Sequence, residues 1–102
     1  MSYQLVLQWP ATEHDSFEAL VGMEEALLEG LDSRHEVDGH DIGRAEMNIF
    51  VLTDDPIAAF AEAHRVLSAH PAVWNMRAAF RLVGAEDFTV VWPKGLSEFS
   101  VS

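Results

Sequence analysis

The densest run of residues able to do acid–base or metal chemistry is HEVDGHDIGRAE, residues 35–46, with His35, Glu36, Asp38, His40, Asp41 and Glu46 inside twelve positions. Imidazole nitrogens and carboxylate oxygens are ligands for zinc and other divalent ions. Asp38, His40, Asp41 and Glu46 are the metal set this segment offers. His40 paired with Asp41 or Glu46 would instead supply a general base and acid. No recognised ligand spacing such as HExxH keys either chemistry. Asp and Gly are also turn residues, and Gly39 and Gly43 tolerate backbone angles other residues avoid, so a solvated hairpin is the plainer expectation. In a regular strand over 35–42, Glu36, Asp38 and His40 would point one way, with His35, Val37 and Asp41 toward the other.

Elsewhere the chain is poor in reactive arrangements. It has no cysteine, which removes disulfides, thiolate metal sites and cysteine nucleophiles. There is no glycine-rich phosphate loop and no GxSxG turn. Ser16, Ser33 and Ser68 read as cap or surface residues. His64 falls on an apolar helix face, His70 precedes a proline and His14 sits beside Asp15, so none of the three is expected to act. No catalytic residue and no cofactor is expected.

These side chains hang on a short series of elements. Residues 3–9 alternate Tyr3, Leu5, Leu7 and Trp9 with Gln4, Val6 and Gln8, a strand that Pro10 ends. Asp15 and Glu18 have capping-box spacing before a helix over 16–29, whose apolar positions are Phe17, Leu20, Val21, Met23, Leu27 and Leu28; Gly30 suits its stop. Strands over 35–42 and 46–53 follow, joined at Gly43-Arg44. Asp55-Pro56 predicts a capped second helix with Ile57, Phe60, Ala61, His64 and Leu67 on its buried face. Residues 76–83 and 88–92 read as two more strands, and 94–102 as a short tail docked through Leu96 and Phe99. The order β-α-β-β-α-β-β predicts a single α+β domain over 1–102. A ferredoxin-like two-layer sandwich, an antiparallel sheet with two helices on one face, is the expected architecture.

At 102 residues, 49% apolar and 23% charged, the chain has the composition of one ordinary folded domain. Its charge is less ordinary. Seventeen acids face six bases for a net −11; residues 1–55 hold thirteen of the acids and two of the bases, and the remainder holds four of each. Nucleic-acid binding is disfavoured because phosphate contacts need a basic footprint. The N-terminal apolar run is too short and unflanked for a signal or a membrane span, so a cytoplasmic location is the expectation. A surface matched to a basic protein partner would use Glu24, Glu25, Glu29, Asp32, Glu36, Asp38 and Asp41. The sheet face turned away from the helices would carry Gln4, Val6, Gln8, Arg77, Ala79 and Arg81. The central strand adds either Asn48, Phe50 and Leu52 or Met47, Ile49 and Val51. Such an apolar stripe suits a homodimer through the sheet, with Phe50 among its contacts. Trp9, Trp74 and Trp92, each near a strand end, read as packing residues, with a partner anchor as the alternative.

EVDGHDIGRAEMNIFVLTDDP (36–56) and FTVVWPKGL (88–96) resemble a group of short, uncharacterised bacterial proteins of about this length, over nearly the whole chain. That resemblance implies membership and no mechanism. More loosely, in size, acidity and lack of catalytic motifs, the chain is similar to small immunity proteins that neutralise bacterial nuclease toxins. The expected function is therefore an acidic, non-enzymatic binding protein, in its most concrete version an immunity-type inhibitor of a basic partner. A small enzyme or metal-binding module built on the 35–46 hairpin is the alternative.

Overall fold

The alternating residues of Tyr3–Pro10 form β1, and its two flanks organise the sheet. The computed structural model describes residues 2–11, 16–43, 45–70 and 75–101. In chain order the elements are β1 (Tyr3–Pro10), α1 (Ser16–Gly30), β2 (His35–Ile42), β3 (Glu46–Thr53), α2 (Pro56–Leu67), β4 (Arg77–Leu82) and β5 (Thr89–Trp92). All strand pairings are antiparallel, in the order β2-β3-β1-β4-β5. The fold is α+β, as the periodicities predict. Asp15 and Trp74, to which a cap and a packing role were assigned, lie outside the described residues.

One sheet face takes both helices. Leu5, Leu7 and Trp9 of β1, Met47, Ile49 and Val51 of β3 and Ala78 of β4 form one buried cluster with Leu20, Met23 and Leu27 of α1 and Ala59, Ala63 and Leu67 of α2. Each of these side chains removes apolar surface from water, the dominant favourable term in folding. Asp55 caps α2 by accepting the Ala58 N–H at 3.1 Å, and Pro56 fills the first turn.

Two expectations about helix faces change. In α2 the core face is Pro56, Ala59, Ala63 and Leu67, while Ile57 is exposed and Phe60 and His64 sit at the margin. The larger side chains share the helical period but lie one step round, and the alanines let α2 approach the sheet closely. In α1 Phe17 and Leu28 are exposed rather than core. Gly30 ends α1 without adopting a positive φ. A side chain there would meet Val66 of α2, with Cγ2 at 2.7 Å from the Cβ position, so close helix approach, not a left-handed cap, explains the glycine.

The second sheet face is also not open as expected. Its β3 residues are Asn48, Phe50 and Leu52, aligned with Gln8, Val6 and Gln4 of β1. Yet Val6, Gln8, Asn48 and Ala79 are buried. The chain after β5 returns as an irregular strap over this face: Gln8 donates Nε2–H to the Ser100 carbonyl at 2.9 Å, and Phe99 packs on Phe88 with centroids 5.1 Å apart. Arg81 lies over Phe88 at 4.9 Å and donates to Gln4 Oε1. No described helix is long and apolar enough to cross a membrane.

Candidate functional site

β2 is an outer strand, and one extra residue in it decides where its polar groups go. Val37 pairs with Val51 but Gly39 pairs with Phe50, so Asp38 is a bulge, with Gly39 at φ +122°. A one-residue slip exchanges the two faces of a strand. After the bulge His40 and Ile42 return to the helix side with His35 and Val37, paired with Ile49 and Met47, while Asp41 pairs with Asn48 on the far side. The regular alternation that put Asp38 and His40 on one side therefore does not hold.

His40 reaches α1. Its Nδ1 lies 3.0 Å from Glu24 Oε2, and its ring meets the edge of Phe17 at 6.2 Å between centroids. At the other end of the same seam, Leu27, Leu28, Leu31, Asp32, Ser33, His35, Glu36 and Val37 line a groove of about 550 Å³. Leu28 at 61% and Phe17 at 56% are the most exposed large apolar residues of α1. The α1–β2 seam is thus a trough of mixed lining, leucines beside polar groups, with acids along it. Glu25 and Glu29 are exposed on α1 and Asp32 in the turn after it; Glu36, Asp38 and Asp41 are exposed along β2, Glu36 and Asp41 in register with Leu52 and Asn48 of the far face, and Glu36 also borders the groove at the edge of the sheet. Because β2 is outermost, its acids wrap the edge of the sheet rather than forming one flat patch with those of α1. Phe50 lies on the far face, half-buried.

The metal set is dispersed. His40 faces α1, Asp41 faces away, and Asp38 borders a separate hollow with Arg81 and Leu52. Glu46 lies beside Arg77 at 3.5 Å. Among the described residues, no three His, Asp or Glu side chains are gathered as a metal site.

A polar clasp holds the trough's floor. Glu62 of α2 takes the Asp32 N–H on Oε1 at 2.9 Å and contacts His35 Nε2 through Oε2 at 3.1 Å, with Arg34 at 3.8 Å. His35 Nδ1 is 2.7 Å from Thr53 Oγ1, which also accepts the Asp55 N–H at 3.0 Å. A neutral ring with its proton on Nε2 satisfies every group: Thr53 donates to Nδ1 and Nε2–H donates to Glu62. Carboxylate, imidazole and hydroxyl in series is an arrangement used for nucleophilic attack. Here the His35 side chain is 1% exposed and Thr53 is buried, so the series is a structural clasp. The Asp32 backbone N–H, then the His35 ring, hold the Glu62 carboxyl below its ordinary range against partial desolvation. Asp32 is lowered by the Arg34 backbone N–H and then its side chain.

Sequence reasoning missed Glu62, whose position on α2 gave no hint of its partners. It also missed the trio Phe60, His64 and Trp92, whose ring centroids lie 5.6–6.2 Å apart at the opposite edge of the molecule. The apolar assignment of His64's helix face was the available signal. Compared with protein-family models, curated proteins and solved structures, the chain matches none of them.

Proposed function

We propose that the protein is a non-enzymatic binding module whose α1–β2 trough receives a basic, partly apolar segment of another protein. The observation that carries this reading is a groove between α1 and β2 in which the exposed Leu28 lies beside the acids Asp32 and Glu36. Leu28 and the half-buried Leu31 border a hollow whose neighbours are Asp32 and Glu36; α1 carries no Lys or Arg, and the one cation of the following turn, Arg34, pairs with Asp32 at 3.2 Å. Apolar contact supplies affinity that survives salt; the acids supply attraction and orientation that do not.

An immunity-type inhibitor is the most concrete form of the proposal, with Glu24, Glu25, Glu29, Asp32 and Glu36 set against a cationic active site in the cytoplasm, and Asp38 and Asp41 adding to the attracting field from the far side of β2. A ferredoxin-like description of the fold belongs to the same reading. It is supported by β1 lying between β3 and β4 with β2 outside β3, β5 being an addition beside β4.

The test is a fluorescence-anisotropy titration with a labelled peptide alternating Lys and Leu, against Lys/Ser and Glu/Leu peptides of equal length. The Lys/Leu peptide is expected to bind with an association rate that falls steeply with ionic strength, and Leu28→Ser with Glu36→Gln to weaken it. Equal binding of all three peptides, or a rate indifferent to salt, refutes the proposal.

A further inference from the structure

The register of the sheet gives its second face a symmetry that no single strand shows. Reading across β4, β1, β3 and β2, one row is Arg81, Gln4, Leu52, Glu36 and another is Arg77, Gln8, Asn48, Asp41, with an apolar row led by Ala79, Val6 and Phe50 between them. Both outer rows are basic at the β4 end and acidic at the β2 end. A two-fold axis parallel to the strands, lying between two such faces, sets β4 of one copy over β2 of the other and keeps each row opposite itself. Arg77 then meets the second copy's Asp41, Arg81 meets its Glu36, and Gln8 meets its Asn48. A two-fold across the strands would instead set arginine over arginine, so charge selects the first axis.

We infer that this face is a docking surface for a second copy of the chain, covered by the C-terminal strap when the chain is alone. An orphaned donor supports the inference. Asn48 is fully buried and its Nδ2 has no hydrogen-bond partner among the described residues, while its Oδ1 accepts from Gln8 at 3.0 Å. A buried amide donor left unpaired is costly, and the opposing Gln8 brings an amide oxygen to it. The strap is an irregular cover. It forms no strand with the sheet, and hollows open to solvent, of about 500 and 160 Å³, run beside it, the smaller lined by Gln8, Glu46, Arg77, Glu98, Phe99 and Ser100. Among the described residues it is tied to the rest of the molecule by the Gln8–Ser100 bond and the Phe88–Phe99 pair, both of which the arriving face replaces or releases.

The cysteine-free chain makes the geometry directly testable in its full length. Positions 41 and 77 lie on β2 and β4, three strand spacings or roughly 14 Å apart, beyond the reach of an intrachain disulfide. The variant Asp41→Cys with Arg77→Cys is expected, with a short bis-maleimide that spans the roughly 10 Å between stacked sheets but not the intrachain separation, to give a covalent dimer that closes without higher oligomers. Either single variant should cross-link at least tenfold more slowly. Adding Phe99→Ser, which loosens the strap, should raise the double variant's rate several-fold. A double variant that cross-links no faster than the singles, or that yields a ladder of open chains, overturns the two-fold arrangement. A rate unchanged by Phe99→Ser overturns the role of the strap. As a measurement free of cysteine, Phe99→Ser should sediment partly as dimer at high concentration. Arg77→Asp should abolish that dimer and Arg77→Asp with Asp41→Arg should restore it; a failed restoration counts against the pairing even if every variant folds.

Discussion

Replacing Gly30 by alanine tests how α1 is seated on α2, and with it the position of the trough's end. The added Cβ would lie 2.7 Å from Val66 Cγ2 and 3.1 Å from Cγ1, where ordinary contact begins at 3.4 Å. Valine in a helix has essentially one χ1 state, so Val66 cannot swing aside, and the helices must separate by about 0.7 Å at that point. Overpacking of this kind costs roughly 1–3 kcal/mol. Against it stands the gain of about 0.5–1 kcal/mol that alanine has over glycine within a helix. The expected net result is destabilisation of about 0–2.5 kcal/mol. Gly22 is the internal control, since nothing lies within 4 Å of its Cβ position and it is exposed in the same helix. Gly22→Ala should stabilise by about 0.5–1 kcal/mol with no offset. Urea unfolding measures both, read as a change of midpoint at constant slope. If Gly30→Ala stabilises as much as Gly22→Ala, the two helices are not in contact at Val66 and the reasoning fails.

Glu62 is held ionised by the Asp32 N–H and His35, so its contribution is complete above the ordinary glutamate value and fades as pH falls through its lowered folded value. Glu62→Gln should therefore flatten the acid side of a urea-midpoint profile and change its shape little on the alkaline side. Asp55→Ala removes the α2 cap and should cost about 1 kcal/mol, seen as a lower thermal midpoint. Leu28→Ser, at a site 61% exposed, should leave stability within about 0.5 kcal/mol while weakening peptide binding in the trough, which separates a binding role from a packing one.

Much of the framework was legible because local chemistry and tertiary demand agree there. The alternation from Tyr3 to Trp9 and the Asp55-Pro56 start of α2 each produce the element they predict. What escaped depended on contacts distant in sequence. The bulge at Asp38 is one residue in length, yet it moves His40 to the α1 side and separates it from Asp38; a two-residue period cannot show an inserted residue. The buried face of α2 went to Ala59 and Ala63 because the helix packs closely on the sheet, where small side chains fit and Phe60 does not. The strap's cover of Gln8 and Asn48 follows from Phe88 and Phe99 meeting across a turn. The acids of the candidate site could be named from composition, but their division between the two sides of β2 required the register.

The most direct test of the trough is a heteronuclear NMR titration of the isotope-labelled protein with the Lys/Leu peptide at low salt. The account predicts amide shifts concentrated on Leu27–Val37, Phe17 and His40, shrinking as salt is raised. Shifts confined to the strap and to Gln4, Val6 and Gln8, or no shifts at all, would contradict it.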